Sequence, residues 1–359
     1  KGSFSIMLFR KVEADPRVCY LTVLPETMLA KVHNNNLNEE LFAGKFSIIL
    51  STTMKLKVIM KKLILMLAVS ILGIAGATQA ASPLVDVAWV TANTGKAGVV
   101  FLDFRGNAAY LRGHVPGAIR SNYGKDGWRE KNSDGTIGMI PSADKLAALI
   151  GGLGIGNADH VVLLPAGNSS SDMGVGTRVY WTFKVLGHDE VSILNGGMNA
   201  YKKAKAKLEK GLVKLDPKTF STQWRSEMVV TKAQVKKALD AGVTLVDSRT
   251  YDQYVGLNKH PKAKRKGTIT GAVVLPQNWL TVGGKGTFRS NDELKKLYAA
   301  SGVPTSGEQI TFCNTGHWAS IDWFVGSELV GNKQTQMYDG SMVEWTADAS
   351  LPMERKVNY

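Results

Sequence analysis

The run Ile310-Thr311-Phe312-Cys313-Asn314-Thr315-Gly316-His317-Trp318-Ala319-Ser320 sets a cysteine at the end of an apolar, β-like stretch, just before a glycine-containing loop that opens into a helix. A thiol at such a seam has the makings of a nucleophile. Backbone N–H groups of the loop turn toward the sulfur, and the positive end of the helix dipole favours its anionic form. The opposing reading is an inert core cysteine, and the strand–loop–helix position speaks against it. The only other cysteine, Cys19, lies far upstream.

Where the protein operates sharpens the point. Residues Met60 to Ala80 read MKKLILMLAVSILGIAGATQA, two lysines followed by an uncharged apolar stretch and small residues ahead of Ala81-Ser82-Pro83. This is the grammar of a secretory signal peptide, with cleavage expected near Ala80. The apolar stretch is short for a full membrane span, so an uncleaved anchor is the weaker alternative. The leader implies a start at Met54 or Met60, and assigns residues 1–59 to upstream sequence outside the native protein. The mature chain then runs from about Ala81 to Tyr359 in a bacterial periplasm, with contact to the membrane only during export or if the leader is retained. In that oxidising compartment a cysteine pair would become a disulfide, and a lone thiol calls for a chemical explanation.

The chain of 359 residues carries a formal net charge of +14, which raises nucleic-acid binding as a function. Export argues against it. Much of the excess sits in Lys202–Lys210 and Lys259–Lys266, read as solvated loops, the second of which could draw small anions toward a nearby site.

The elements that must position Cys313 come in two copies. Gly98-Val99-Val100-Phe101-Leu102-Asp103-Phe104-Arg105 answers Gly242-Val243-Thr244-Leu245-Val246-Asp247-Ser248-Arg249, and Gly113 to Ala118 answers Gly267 to Ala272. Val161 to Pro165 answers Ile310 to Cys313, and Leu194-Asn195-Gly196-Gly197-Met198 answers Tyr338-Asp339-Gly340-Ser341-Met342. The offset between copies stays within 144 to 154 residues. Short β-rich runs alternate with amphipathic stretches such as Ser142–Ile150 and Asp292–Ala300. That alternation predicts an α/β fold in which each copy is a mainly parallel sheet flanked by helices. Active sites of such folds lie beyond the carboxyl ends of the strands, where Cys313 falls. The predicted organisation is one domain over 82–204, a Lys-rich linker over 205–228 and a second domain over 229–359. The glycines at 151–156 and 174–176 lack the context of a nucleotide motif and read as loops.

These residues resemble the tandem-domain rhodanese family, the thiosulfate and mercaptopyruvate sulfurtransferases. The resemblance rests on the two Asp-x-Arg strand ends, on Gly113-His114-Val115-Pro116-Gly117-Ala118, on Arg178-Val179-Tyr180-Trp181-Thr182-Phe183 with Gly187-His188, and on Asn195-Gly196-Gly197. It implies a catalytically silent first domain, where Pro165-Ala166-Gly167 stands in place of the nucleophile, and a second domain whose Cys313 heads a six-residue loop ending at Trp318. The implied chemistry is ping-pong transfer of sulfur through a Cys313 persulfide, from a small anionic donor such as thiosulfate to cyanide or a thiol. An acceptor protein is a further possible partner. Amides of the Asn314, Thr315, Gly316, His317 and Trp318 loop would stabilise the anion. No metal or organic cofactor is implied, and the six histidines show no ligand spacing.

The loop departs from the family pattern. Thiosulfate-preferring members carry basic residues after the cysteine and mercaptopyruvate-preferring ones Gly-Ser, against Asn314-Thr315 here. His317 either packs locally or supplies a pH-dependent positive charge. Candidates for a substrate-binding cation are Arg249, whose repetition as Arg105 favours a structural Asp–Arg pair, and Arg265, in the insertion 256–266. Trp279 is a candidate cover for the site. A phosphatase or arsenate reductase on the same scaffold needs an arginine six residues beyond the cysteine, and Ala319 stands there. A noncatalytic sulfur carrier using the same thiol is the remaining alternative.

Overall fold

The computed structural model describes residues 81–357, together with a short antiparallel pairing of Met7–Leu8 with Thr22–Val23. The leader over 60–80, both start candidates and Cys19 lie outside the described residues. Among the described residues, no helix is long and apolar enough to cross a membrane.

The described residues from Ala81 onward form one compact unit containing both copies. In the first copy β1 (Leu84–Val85), β2 (Val99–Asp103), β3 (Ile119–Arg120), β4 (His160–Leu164) and β5 (Val191–Leu194) form a sheet in the order β1-β5-β4-β2-β3, with every pairing parallel. The second copy repeats that order as β6-β10-β9-β7-β8, built from β6 (Val229–Val230), β7 (Thr244–Asp247), β8 (Val273–Val274), β9 (Gln309–Phe312) and β10 (Thr335–Tyr338). Central strands β4 and β9 are almost wholly buried, because a parallel sheet carries helices on both faces and needs apolar residues on both.

The connecting helices begin where the side chains can cap them. Ser142 accepts the Lys145 N–H at the start of α3 (Ala143–Gly152), after α1 (Val87–Asn93) and α2 (Asn107–Arg112). Beyond α5 (Gly197–Lys203), Thr231 with Gln234 and Ser290 with Glu293 form reciprocal capping boxes on α6 (Lys232–Asp240) and α8 (Asn291–Ala300).

The element that joins the two copies is α4 (Ser170–Val185), buried along most of its length and packed against α9 (Ala319–Phe324). Thr177 Oγ1 and Ser320 Oγ lie 2.8 Å apart across that contact. Gly174 and Gly176, expected in a loop, therefore lie inside a helix. A Cβ on Gly174 would come within 2.7 Å of His317 Nε2, so the glycine is set by the close approach of the second copy rather than by a turn. Gly151 and Gly152 likewise end α3. The segment between the copies runs back over the first, with backbone bonds from Glu209 to His114, Lys218 to Gly151 and Arg225 to Val185.

Candidate active site

Strand β9 ends at Phe312, and Cys313 follows as the first residue of the loop that enters α9. Cys313 is the free cysteine of the described residues and is 1% exposed. Its loop is held from below by Ser341, the residue that opens α10 (Ser341–Trp345). Ser341 Oγ accepts the N–H groups of Cys313 at 3.0 Å and Gly316 at 3.2 Å, and donates to the Tyr338 carbonyl at 2.9 Å. Ser341 does this from a left-handed backbone (φ 50°) where glycine would ordinarily sit, and its counterpart in the first copy is Gly197. Met342 and Val343 donate their N–H groups to the Cys313 and Asn314 carbonyls. Asn314 Nδ2 reaches Gln253 Oε1 at 2.8 Å on α7 (Tyr251–Val255). Gly316 turns the loop at φ +73°, where a Cβ would strike Arg178 Nη1 and Asp339 Oδ1. The N–H groups of Asn314, Thr315, His317 and Trp318 make no hydrogen bond to the described residues.

Much of the site comes from the first copy. Cys313 opens onto a cavity of about 440 Å³ whose walls are Tyr123, Arg129, Ser171, Asp172 and Val175 from that copy, with His260, Asn314, Thr315, His317 and Trp318 from the second. Arg129 holds the Thr315 carbonyl through Nη2 and the Gly138 carbonyl through Nε at 2.9 Å. Tyr123 OH meets His317 Nδ1 at 3.0 Å, while His317 Nε2 lies 3.0 Å from the Ser171 carbonyl and Trp318 Nε1 donates to Ser171 Oγ at 3.0 Å. Beneath them Arg178 binds Asp339 at 2.5 Å and the Gly316 carbonyl at 3.2 Å, while Asp339 Oδ2 accepts the Ile140 N–H at 2.7 Å. Burial alone would push the Arg178 guanidinium down, but the Asp339 carboxylate more than reverses this and leaves it above its ordinary value.

Two of the arginines singled out in the sequence are elsewhere. Arg249, 1% exposed, is closed onto Asp247 and the Gly267 carbonyl, as Arg105 is onto Asp103 and the Gly113 carbonyl. Arg265 is directed to the carbonyls of Trp345, Thr346, Leu351 and Asp348. Neither lines the cavity, because a guanidinium enclosed by carboxylate and carbonyl acceptors pins backbone instead of facing solvent. The insertion does reach the cavity mouth, through His260. Trp279 is exposed and lies outside the walls, which Trp318 supplies instead. Arg129, Tyr123 and Ser171 have no counterpart signal near Cys313 in sequence. They are brought in from more than 140 positions away.

His317 supplies no positive charge near neutrality. Burial first, then the charges of Arg129 and Arg178, lower its pKa from 6.5 to about 4. The unfolded chain takes up a proton over that interval which the folded one refuses, so this contribution to stability is complete above about pH 6.5 and is lost as pH falls toward 4. Its size is at most about 3 kcal/mol. In urea unfolding from pH 7 to pH 4, His317→Gln should lose less stability than the wild type by up to that amount. Equal acid sensitivity of the two proteins would contradict a neutral, enclosed imidazole.

A model of the rhodanese-like domain matches twice, over residues 86–204 and 231–348. The chain belongs to the rhodanese family. Over 284 residues it is 31% identical to a provisionally named thiosulfate sulfurtransferase of Saccharopolyspora erythraea, covering 76% of this chain and 95% of that protein. A provisionally named thiosulfate sulfurtransferase of Haloferax volcanii is 32% identical over 254 residues, 69% of this chain and 85% of that one. Among solved structures, the anaerobic ergothioneine biosynthesis enzyme from Chlorobium limicola, in complex with trimethyl histidine, superposes with a TM-score of 0.65 at 21% identity. That match covers 77% of this chain and 71% of the other, and shows the shared fold.

Proposed function

We propose that this protein is a sulfurtransferase that moves sulfane sulfur through a persulfide on Cys313, with thiosulfate or a related anion as donor and cyanide or a thiol as acceptor. The Cys313 thiolate attacks the outer sulfur of the donor, the donor S–S bond breaks, and sulfite leaves with the electron pair. Cyanide or a thiolate then attacks the terminal persulfide sulfur, and the Cys313 thiolate is regenerated. The observation that carries this reading is one arrangement: the cysteine that stands alone among the described residues, at the carboxyl end of a parallel strand, followed by loop N–H groups without partners among those residues, opening onto a cavity walled by a guanidinium. Those N–H groups are suited to the terminal anionic sulfur, and Arg129 to the sulfonate of the donor. The relatives' names point to the same class. The leader grammar extends the proposal to a periplasmic protein, for which N-terminal sequencing from the native cell should return a start near Ala81.

Arg129→Gln tests the donor site. Loss of a charge-assisted hydrogen bond, about 1.5–3 kcal/mol, should raise KM for thiosulfate by about tenfold or more. Turnover with an uncharged organic trisulfide should change much less. A loss of equal size for both donors would assign Arg129 to holding the Thr315 carbonyl only. Arg265→Gln is expected to lower thermal stability and leave KM for thiosulfate unchanged. Sulfur release across a panel of anionic and neutral donors decides the donor class, and no release from any donor would favour a carrier.

A further inference from the structure

The first copy has Pro165 where the second has Cys313, and beside that position lies an open cleft. In the second copy Gln253 reaches from α7 to the Cys313 loop, where its Oε1 accepts the Asn314 Nδ2–H at 2.8 Å. The equivalent positions of the first copy are Ala109 and Ala166, and between them a cavity of about 440 Å³ remains. The equivalence is structural as well as sequential, since Met198 and Asn199 donate to the Pro165 and Ala166 carbonyls as Met342 and Val343 do to Cys313 and Asn314.

The walls of this cleft are built for an anion. Arg105 lines it, is 7% exposed, and leaves Nη1 with no hydrogen-bond partner although Nε and Nη2 are engaged by Asp103. Lys202 stands at the wall where the second copy has Thr346. Partial desolvation, then the like charge of Arg105, holds the Lys202 ammonium below the usual lysine range, a penalty that a bound anion would relieve. The one opposing carboxylate on the walls, Asp172, accepts the Asn168 N–H. A buried guanidinium with an unused donor, beside a second cation, is the donor set that recognises oxyanions.

From this juxtaposition we propose that the open cleft of the first copy is a second binding site, specific for a small oxyanion of the sulfate and sulfite type and held by Arg105 and Lys202. The site needs no sulfur chemistry and is independent of Cys313. It shares Asp172 and Val175, on the first turns of α4, with the Cys313 cavity, so the two sites stand on opposite sides of one wall.

Sulfate titration of the full protein at constant ionic strength, followed by the backbone amide resonances of Gly106, Asn168 and Asn199, tests the proposal. The three should shift together along one saturating curve. Lys202→Gln should weaken that curve by about tenfold, and Ala109→Gln, which installs the side chain that Gln253 provides in the second copy, should abolish it while the remaining amide spectrum shows a folded protein. Arg129→Gln should leave it unchanged. Shifts confined to the Thr315–Trp318 amides, a linear response without saturation, or a curve unaltered by Lys202→Gln would each overturn the site.

Discussion

Cys313→Ser should yield a folded protein in which sulfur transfer falls to background, an expected loss of about 10⁴-fold or more by analogy with nucleophile removal elsewhere. The thiol sits at 1% exposure among core residues, so a serine hydroxyl of similar size costs on the order of 1–3 kcal/mol in stability without emptying the site. Serine offers no appreciable alkoxide near neutral pH and cannot form a persulfide, so the first half-reaction has no substitute. Mass spectrometry of the wild type after thiosulfate should show one added sulfur mapped to Cys313 and removed by cyanide. A folded serine variant that still turns over would refute the mechanism. A wild type that acquires sulfur but passes it to no small acceptor would instead identify a carrier.

The largest loss of stability is expected from the buried pair beneath the loop. Asp339→Ala leaves the Arg178 guanidinium, fully enclosed and partnered there at 2.5 Å, without its counter-charge. Breaking one side of such a pair costs about 3–5 kcal/mol, which for a unit of this size lowers the melting temperature by about 5–15 °C. The double variant Arg178→Met with Asp339→Leu should recover a large part of that loss, because an apolar pair removes both desolvation penalties. It should not recover sulfur transfer. Arg178 also holds the Gly316 carbonyl and Asp339 the Ile140 N–H, so the pair fixes both the Cys313 loop and the first-copy segment that carries Arg129 toward it. Full activity in the apolar double variant would show that the pair serves folding alone.

The buried pair also marks the boundary of what the chain reveals before it folds. The two-copy organisation was legible because the same backbone solution requires the same residue types twice: an aspartate to fix each arginine at a strand end, and continuous apolar runs where strands are buried on both faces. The position of Cys313 was legible because an apolar run followed by a glycine turn marks the end of a buried strand. The ambiguity of Arg249 was legible too, since its copy Arg105 has no cysteine to serve.

What the sequence could not determine is which cations face the sulfur. A positively charged side chain near a nucleophile looks the same in sequence whether it meets substrate or closes onto backbone carbonyls, and Arg265 does the latter. Arg129 gives no periodic or motif signal, for it enters the cavity only because α4 docks on α9 with a glycine where His317 presses in. Gly174 read as a loop residue for the same reason: helix propensity disfavours it, while the contact that requires it is 143 residues away. The chain by itself thus determined the repeated fold and the strand-end position of Cys313, which depend on local spacing and burial patterns. Tertiary structure alone decided the walls of the cavity, the neutrality of His317 and the open cleft in the first copy, because each depends on which surfaces of the two copies meet and which water they exclude.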